Sequence, residues 1–261
     1  MKAFEREGEE KIRLSELAVK KFQDALDGTP NNRVTLRNLA DCLIKLGDYE
    51  LARYYYLCAI ESDPKDTNTL FKYACFLELC GQFDEAEDYY LQSLEEDNYH
   101  SNSLITYADF LAIQRRNYIE AENFYLYAIE SDPKNAFALN NYACFLSIIW
   151  KKYDKAEKYF KEAISIDSKQ PQHLHNFGIF METIRKKPED GKKLHDQADD
   201  SERKGDSLHR SFSVGDLYEE SKKLTKTQKR NLRRTISKIK KREENKSWSN
   251  EETVNHTPKK D

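Results

Sequence analysis

Tyr73-Ala74-Cys75-Phe76-Leu77 returns after 34 residues as Tyr107-Ala108-Asp109-Phe110-Leu111 and after 35 more as Tyr142-Ala143-Cys144-Phe145-Leu146. An earlier copy stands at Leu39-Ala40-Asp41-Cys42-Leu43, and the small residue at its centre continues the series Ala40, Ala74, Ala108, Ala143 and Gly178. A second set keeps step with the first. Ala52, Ala86, Ala121 and Ala156 are each followed four residues later by Tyr56, Tyr90, Tyr125 or Phe160, then by Ala59, Ser93, Ala128 or Ala163. Self-similarity at a fixed period means that one supersecondary unit is reused along the chain.

Spacings of four and three put the second set on a single helical face. Small residues let two helix axes approach, and the ring fills the space beside them, so each unit is predicted to be a packed helical hairpin. Between hairpins stand Ser62-Asp63-Pro64-Lys65 and Ser131-Asp132-Pro133-Lys134, with Asn98 and Ser168 in the proline position of the other units. Proline stops helix propagation and drives the residue before it to extended geometry. Within hairpins, Gly47-Asp48-Tyr49 and Gly81-Gln82-Phe83 offer glycine for a left-handed C-cap. The two longer units turn at Arg115-Arg116-Asn117-Tyr118 and Trp150-Lys151-Lys152-Tyr153, each with one extra residue.

Composition agrees with an all-α chain. Of 261 residues, 38% are hydrophobic and 34% charged, so one compact core does not account for every residue. Eight glycines and six prolines are too few for the many turns of an all-β protein. The first ten residues lack the apolar core of a signal peptide, and no stretch is apolar enough to span a bilayer, so a cytoplasmic or nuclear protein is expected. Cys42, Cys58, Cys75, Cys80 and Cys144 lie within helical patterns without CxxC pairing and are expected as reduced core or groove residues.

The small and aromatic positions, the 34-residue period and the terminal proline resemble the tetratricopeptide repeat family, over residues 15–182. The large aromatic that the family carries early in its first helix is replaced by Leu36, Leu70, Leu104, Leu139 and Leu174. The expected architecture is an α-solenoid of tandem helix-turn-helix repeats. It comprises an N-terminal helix or half-repeat cap at 1–30 and an array at 31–185, with repeats at 33–66, 67–100, 101–135 and 136–170 and a terminal half-repeat at 171–185. A flexible linker (186–221), a basic amphipathic helix (222–247) and a disordered tail (248–261) follow. The resemblance implies a right-handed superhelix stabilised by neighbour interfaces. It also implies a concave surface lined by first helices, on which Arg37, Asp41, Phe71, Cys75, Ile105, Asp109, Asn140, Cys144, His175 and Ile179 fall. That mixed surface suits an extended or helical peptide with apolar side chains. The Lys, Asn and Arg set with which the family's best-known groove holds chaperone C-termini has no match here, so a chaperone co-factor is not expected.

Catalytic chemistry has little to stand on. The six histidines (His100, His173, His175, His195, His209 and His256) are scattered, and His173 and His175, two apart on a helix, point in different directions instead of sharing a metal. No GxxxxGK[ST] or GxGxxG segment occurs. No enzyme activity, cofactor, metal or small-molecule substrate is expected. Charge runs along the array, from Asp84, Glu85, Glu87, Asp88, Glu95, Glu96 and Asp97, a helix without a base, to Lys151, Lys152, Lys155, Lys158 and Lys161. This is either a solvated outer face or a device for steering a partner.

A net charge of −3 conceals a basic segment, 222–246, that alone carries +10. Thr225-Lys226-Thr227-Gln228 offers a capping box. Leu232, Ile236 and Ile239 then recur at helical spacing among Lys226, Lys229, Arg230, Arg233, Arg234, Lys238, Lys240, Lys241 and Arg242. Such a helix binds RNA phosphates, a ribosome, anionic lipid, a partner helix or the acidic repeats of its own chain. Ser213, three residues after Arg210, is a candidate phosphosite in the linker. The leading expectation is an interaction scaffold that binds protein through the array and attaches by charge through the tail. The alternative is an RNA- or ribosome-associated protein whose basic helix is the primary binding element.

Overall fold

The computed structural model describes residues 2–202, of which 2–12 and 14 are described by backbone alone. The basic helix, the candidate phosphosite Ser213 and most of the expected linker lie outside the described residues. Among the described residues every regular element is helical, and the chain forms two compact units that meet in sequence at Pro133 and Lys134.

The first unit opens with α1 (Lys2–Gly28), which packs on α2 (Arg33–Leu46). It continues through α3 (Tyr49–Ser62), α4 (Thr67–Leu79), α5 (Phe83–Glu96), α6 (Ser101–Phe110) and α7 (Tyr118–Ser131). Pairs α2/α3, α4/α5 and α6/α7 are helical hairpins. The second unit contains α8 (Ala136–Phe145) with α9 (Tyr153–Ile166), then α10 (Pro171–Thr183) with α11 (Pro188–Glu202). The small residues of both recurring sets are buried, as are the rings of Tyr90, Tyr125 and Phe160. Tyr90 shows how these rings act: it lies 5.8 Å from Tyr107 and 5.5 Å from Phe110 of the next hairpin, so one ring closes its own hairpin and seats the following one.

Helix ends explain why proline is dispensable between hairpins. Asp63, Asp97, Asp132 and Asp167 each donate a backbone N–H that closes a second helix, to the carbonyls of Ala59, Ser93, Ala128 and Ala163 respectively. The carboxylates of Asp63, Asp97 and Asp167 also accept the N–H two residues on, at 3.0–3.2 Å. This aspartate turn is common to units with and without proline. The next helix starts on a second polar cap: Asn32, Asp66 and Asn135 accept the backbone N–H of Thr35, Thr69 and Ala138.

The extra residue of the two longer units is absorbed before the hairpin turn. The ends of their first helices, Leu111–Arg115 and Leu146–Trp150, widen into π-helical turns. The chain then reverses through Arg116 and Lys151 at φ 55° and 56°, where the shorter units use Gly47 and Gly81 at 81° and 76°. The wide turn is closed by Asn117 N–H to Leu111 O and Lys152 N–H to Leu146 O, at 2.9 and 3.0 Å.

The expected linker is corrected over its first part. Residues 188–202 form α11, which packs on α10 and completes a fifth hairpin in place of a half-repeat. Low apolar content concealed this helix, yet Gly191, His195 and Ala198 continue the small, aromatic, small series 35 residues after Ala156, Phe160 and Ala163. Close approach replaces apolar bulk: a Cβ on Gly191 would lie 2.8 Å from the Gly178 carbonyl oxygen, and one on Gly178 would lie 2.7 Å from the His195 ring.

Since Tyr90 is wholly buried, Tyr90→Ala is expected to destabilise the first unit by roughly 3–5 kcal/mol in denaturant unfolding. Tyr90→Phe, which keeps the ring and removes only the hydroxyl, is expected to cost about 1 kcal/mol. Equal losses in both variants would show that the hydroxyl carries the effect and not the ring.

Candidate functional site

The expected groove residues fall on the first helices, and the two units present them differently. In the first unit, Arg37 and Asp41 share a face of α2, while Phe71, Cys75 and Glu78 share one of α4. All five are partly exposed. Arg37 donates to Asp66 Oδ2 at 2.8 Å, and Asp66 also caps α4 by accepting Thr69 N–H at 3.0 Å. Burial pushes the Asp66 carboxyl up, but the Thr69 hydrogen bonds and the Arg37 guanidinium hold it below the usual carboxylate range. Asp41 accepts the Tyr56 hydroxyl from its own hairpin and the Lys72 ammonium from α4. The two bridges Arg37–Asp66 and Lys72–Asp41 thus tie the first helices of neighbouring repeats together.

Beside these charges lies the apolar part. The Phe71 ring packs 5.5 Å from His100, edge to face, and 6.4 Å from Tyr90. The Tyr90 hydroxyl donates to Glu78 at 2.8 Å and meets Cys75 Sγ at 3.5 Å. Burial pushes the Cys75 thiol up to about 12, which keeps it a neutral, weakly polar surface, and burial raises Glu78 as well.

The structure removes several residues from the expected groove. Ile105 and Asp109 are buried, and the Asp109 carboxylate accepts the Tyr125 hydroxyl. Asp109 has the role that Asp41 has with Tyr56. The hydroxyl on the second helix is costly to bury alone and needs an acceptor, which Asp109 supplies here and Glu78 supplies in the second repeat. In the second unit Asn140 and Cys144 have no exposed surface; Asn140 donates to Asn141 Oδ1 at 3.1 Å. Cys144, small and apolar, is a core residue, and Cys144→Glu would bury a charge there. His175 and Ile179 are partly exposed on α10. Among the described residues, which include all five cysteines, no disulfide occurs.

The acidic helix α5 carries no base of its own but meets one from the following hairpin. Arg115, at the end of the next first helix, donates to Asp84 at 2.6 Å and Glu87 at 2.7 Å and lies over the Phe110 ring. The same clamp recurs in the second unit, where Arg185 donates to Asp154 at 2.6 Å and Glu157 at 2.8 Å and lies over Phe180. Both arginines follow their glutamate by 28 residues, a regularity that sequence reasoning misses when acids are compared only within one helix. Lys161 first, and Arg185 with it, hold Glu157 below the usual carboxylate range. These pairs are partly solvated, so they orient adjacent repeats more than they stabilise them.

Hairpins joined by small residues, rings and aspartate turns define a helical-repeat protein. Models of the tetratricopeptide repeat match residues 12–67, 55–88 and 124–158 of this chain, so the hairpins they cover are of tetratricopeptide-repeat type. No curated protein matches it in sequence. Among solved structures, a thermophilic tetratricopeptide-repeat protein of Thermus thermophilus is similar over 74% of this chain and 100% of its own, at 14% identity and a TM-score of 0.58. BtubC from P. vanneervenii is similar over 79% of this chain and 96% of its own, at 18% identity and a TM-score of 0.56. The pilF protein of Pseudomonas aeruginosa is similar over 80% of this chain and 90% of its own, at 21% identity and a TM-score of 0.55. At such identities the likeness is one of fold. The fold is one of protein-interaction scaffolds, and among the described residues no helix is long and apolar enough to cross a membrane.

His173 gives the second unit a measurable pH response. It is wholly buried on α10 with its ring 4.9 Å from Phe137, and among the described residues the only polar influence on the ring is Asp167 at the end of α9. Burial, only partly opposed by Asp167, lowers its pKa to about 4. An unfolded histidine titrates near 6.5, so the unfolded state binds the proton first. The stability His173 permits is complete above about pH 6.5 and is lost as the pH falls toward 4. His173→Phe is expected to flatten thermal stability across that window and to raise it at pH 5. An unchanged acid slope would remove His173 from the account.

Proposed function

We propose that the chain is a non-enzymatic scaffold that binds an extended or helical segment of a partner protein along the first-helix face of its first unit. The observation that carries this reading is the partly exposed Phe71 beside Cys75 and Glu78, on a helix whose charged neighbour Lys72 is already bridged to Asp41. Arg37 is likewise engaged by Asp66. With these charges paired within the protein, a segment gains most by placing an apolar side chain on Phe71 and Cys75, and Glu78 accepts a donor from its backbone or from a basic residue. Ile179 and His175 supply a smaller first-helix surface in the second unit.

The remaining acids of α5 steer such a partner and do not hold it, since they stand on a second helix of the first unit and form rim charges. The basic segment 222–246 adds charge-driven attachment to an acidic protein, RNA or anionic surface. A reading in which that segment is the primary binding element makes the opposite prediction on deletion.

Peptides selected from a random-sequence display library on the full chain are expected to lose at least about tenfold in affinity for Phe71→Glu, roughly 1.4 kcal/mol, while helical circular dichroism is retained. Deletion of 222–246 is expected to leave those peptides bound. Loss of all binding on deletion, with none in Phe71→Glu, would transfer the function to the basic segment.

A further inference from the structure

The fifth hairpin keeps the small, aromatic, small pattern but changes its chemistry. In the first three hairpins the second-helix ring is tyrosine, with its hydroxyl on Asp41, Glu78 or Asp109 of the first helix, and in the fourth it is Phe160. Here the ring is His195, and Glu182 stands where Glu78 stands in the second repeat. His195 Nδ1 lies 2.9 Å from His175 Nδ1, with ring centroids 5.2 Å apart. The outer nitrogens each face a carboxylate: His195 Nε2 is 3.7 Å from Glu182 Oε1, and His175 Nε2 is 3.9 Å from Asp199 Oδ1.

A neutral imidazole has one N–H, and the carboxylate beside each Nε2 favours keeping it there. Without a cation, one Nδ1 carries a proton and donates it to the other across 2.9 Å; with both protons on Nε2, the two Nδ1 lone pairs converge on the point that proton occupied, where a cation can replace it. A tetrahedral metal with nitrogen ligands at about 2.0–2.1 Å holds two of them about 3.3 Å apart, a few tenths of an ångström more than the separation in this hairpin. A carboxylate on the outer N–H is the usual support for a metal-bound imidazole, and Glu182 and Asp199, at 3.7 and 3.9 Å, stand a small side-chain movement away from that role. Gly178 makes the geometry attainable, because a Cβ there would sit 2.7 Å from the His195 ring.

We propose that His175 and His195 are two ligands of one divalent transition-metal ion of the zinc, nickel or copper class, which pins α11 to α10. Among the described residues no group of three or more metal-binding side chains gathers, so water completes the coordination. Side-chain exposures of 30% for His175 and 26% for His195 leave room for it. With two protein ligands instead of four, the site binds more weakly than a structural zinc site and leaves open positions.

The test uses the full chain, reduced and stripped of metal with chelator, titrated with Co²⁺ as a spectroscopic probe and then with Zn²⁺. The expected result is one Co²⁺ per chain, showing ligand-field bands without thiolate charge transfer and displaced by Zn²⁺, with a higher melting temperature when Zn²⁺ is bound. His175→Gln and His195→Gln are each expected to weaken Co²⁺ binding at least tenfold, and His209→Gln to leave it unchanged. If His195→Gln fails to fold, the more exposed His175→Gln decides. Absence of Co²⁺ uptake, uptake indifferent to His175→Gln, or a thiolate band assigning the metal to cysteine would each overturn the proposal.

Discussion

Everything in the array depends on one wedge, a second-helix ring pressed between two small residues of its own helix and against the first helix of its hairpin. Tyr90 does this while touching Tyr107 and Phe110, so the same ring defines the fold within a repeat and the stacking between repeats. An isolated hairpin would leave in water the side of that ring that meets Tyr107 and Phe110. Neighbour interfaces, and not single-hairpin stability, therefore hold each unit together. The polar end of the wedge sets a second constraint. A buried hydroxyl must find an acceptor, and Asp41, Glu78 and Asp109 are there to supply it.

That second constraint is one that sequence alone does not reveal. Asp41 and Asp109 have the position and the charge of groove residues, and nothing in their own helix reveals that a tyrosine fifteen or sixteen residues downstream claims them. The period itself was legible because burial of an Ala or a ring tolerates so few substitutes. Cys144 and Ile105 were ambiguous for the opposite reason: small apolar side chains suit a groove and a core equally, and only packing separates the two.

The fifth hairpin shows the same limit from the other side. Residues 188–202 read as linker because their composition is polar, with little apolar bulk beyond Leu194 and Ala198. Hydrophobic content is a poor guide where two glycines, Gly178 and Gly191, let backbones approach so closely that little side-chain volume remains to be filled. The interval of 35 residues was the better evidence, because it reports geometry directly. Proline misled in a smaller way: the residue that repeats in every turn is the aspartate before it, whose carboxylate and backbone end one helix and position the next.

On the proposed reading, charge pairing determines what kind of partner the array recognises. Arg37, Lys72, Arg115 and Arg185 are each bound to an acid of the chain itself, so a ligand that sought to replace one of these pairs would first have to break it. Exchanging one partly solvated ion pair for another yields little free energy. Apolar contact at Phe71 and Cys75 carries no such exchange cost, and the paired charges around it fix where a segment can lie without adding much to its affinity. A surface of this kind discriminates by shape and by the penalty on misplaced charge, and it leaves affinity to a few apolar anchors.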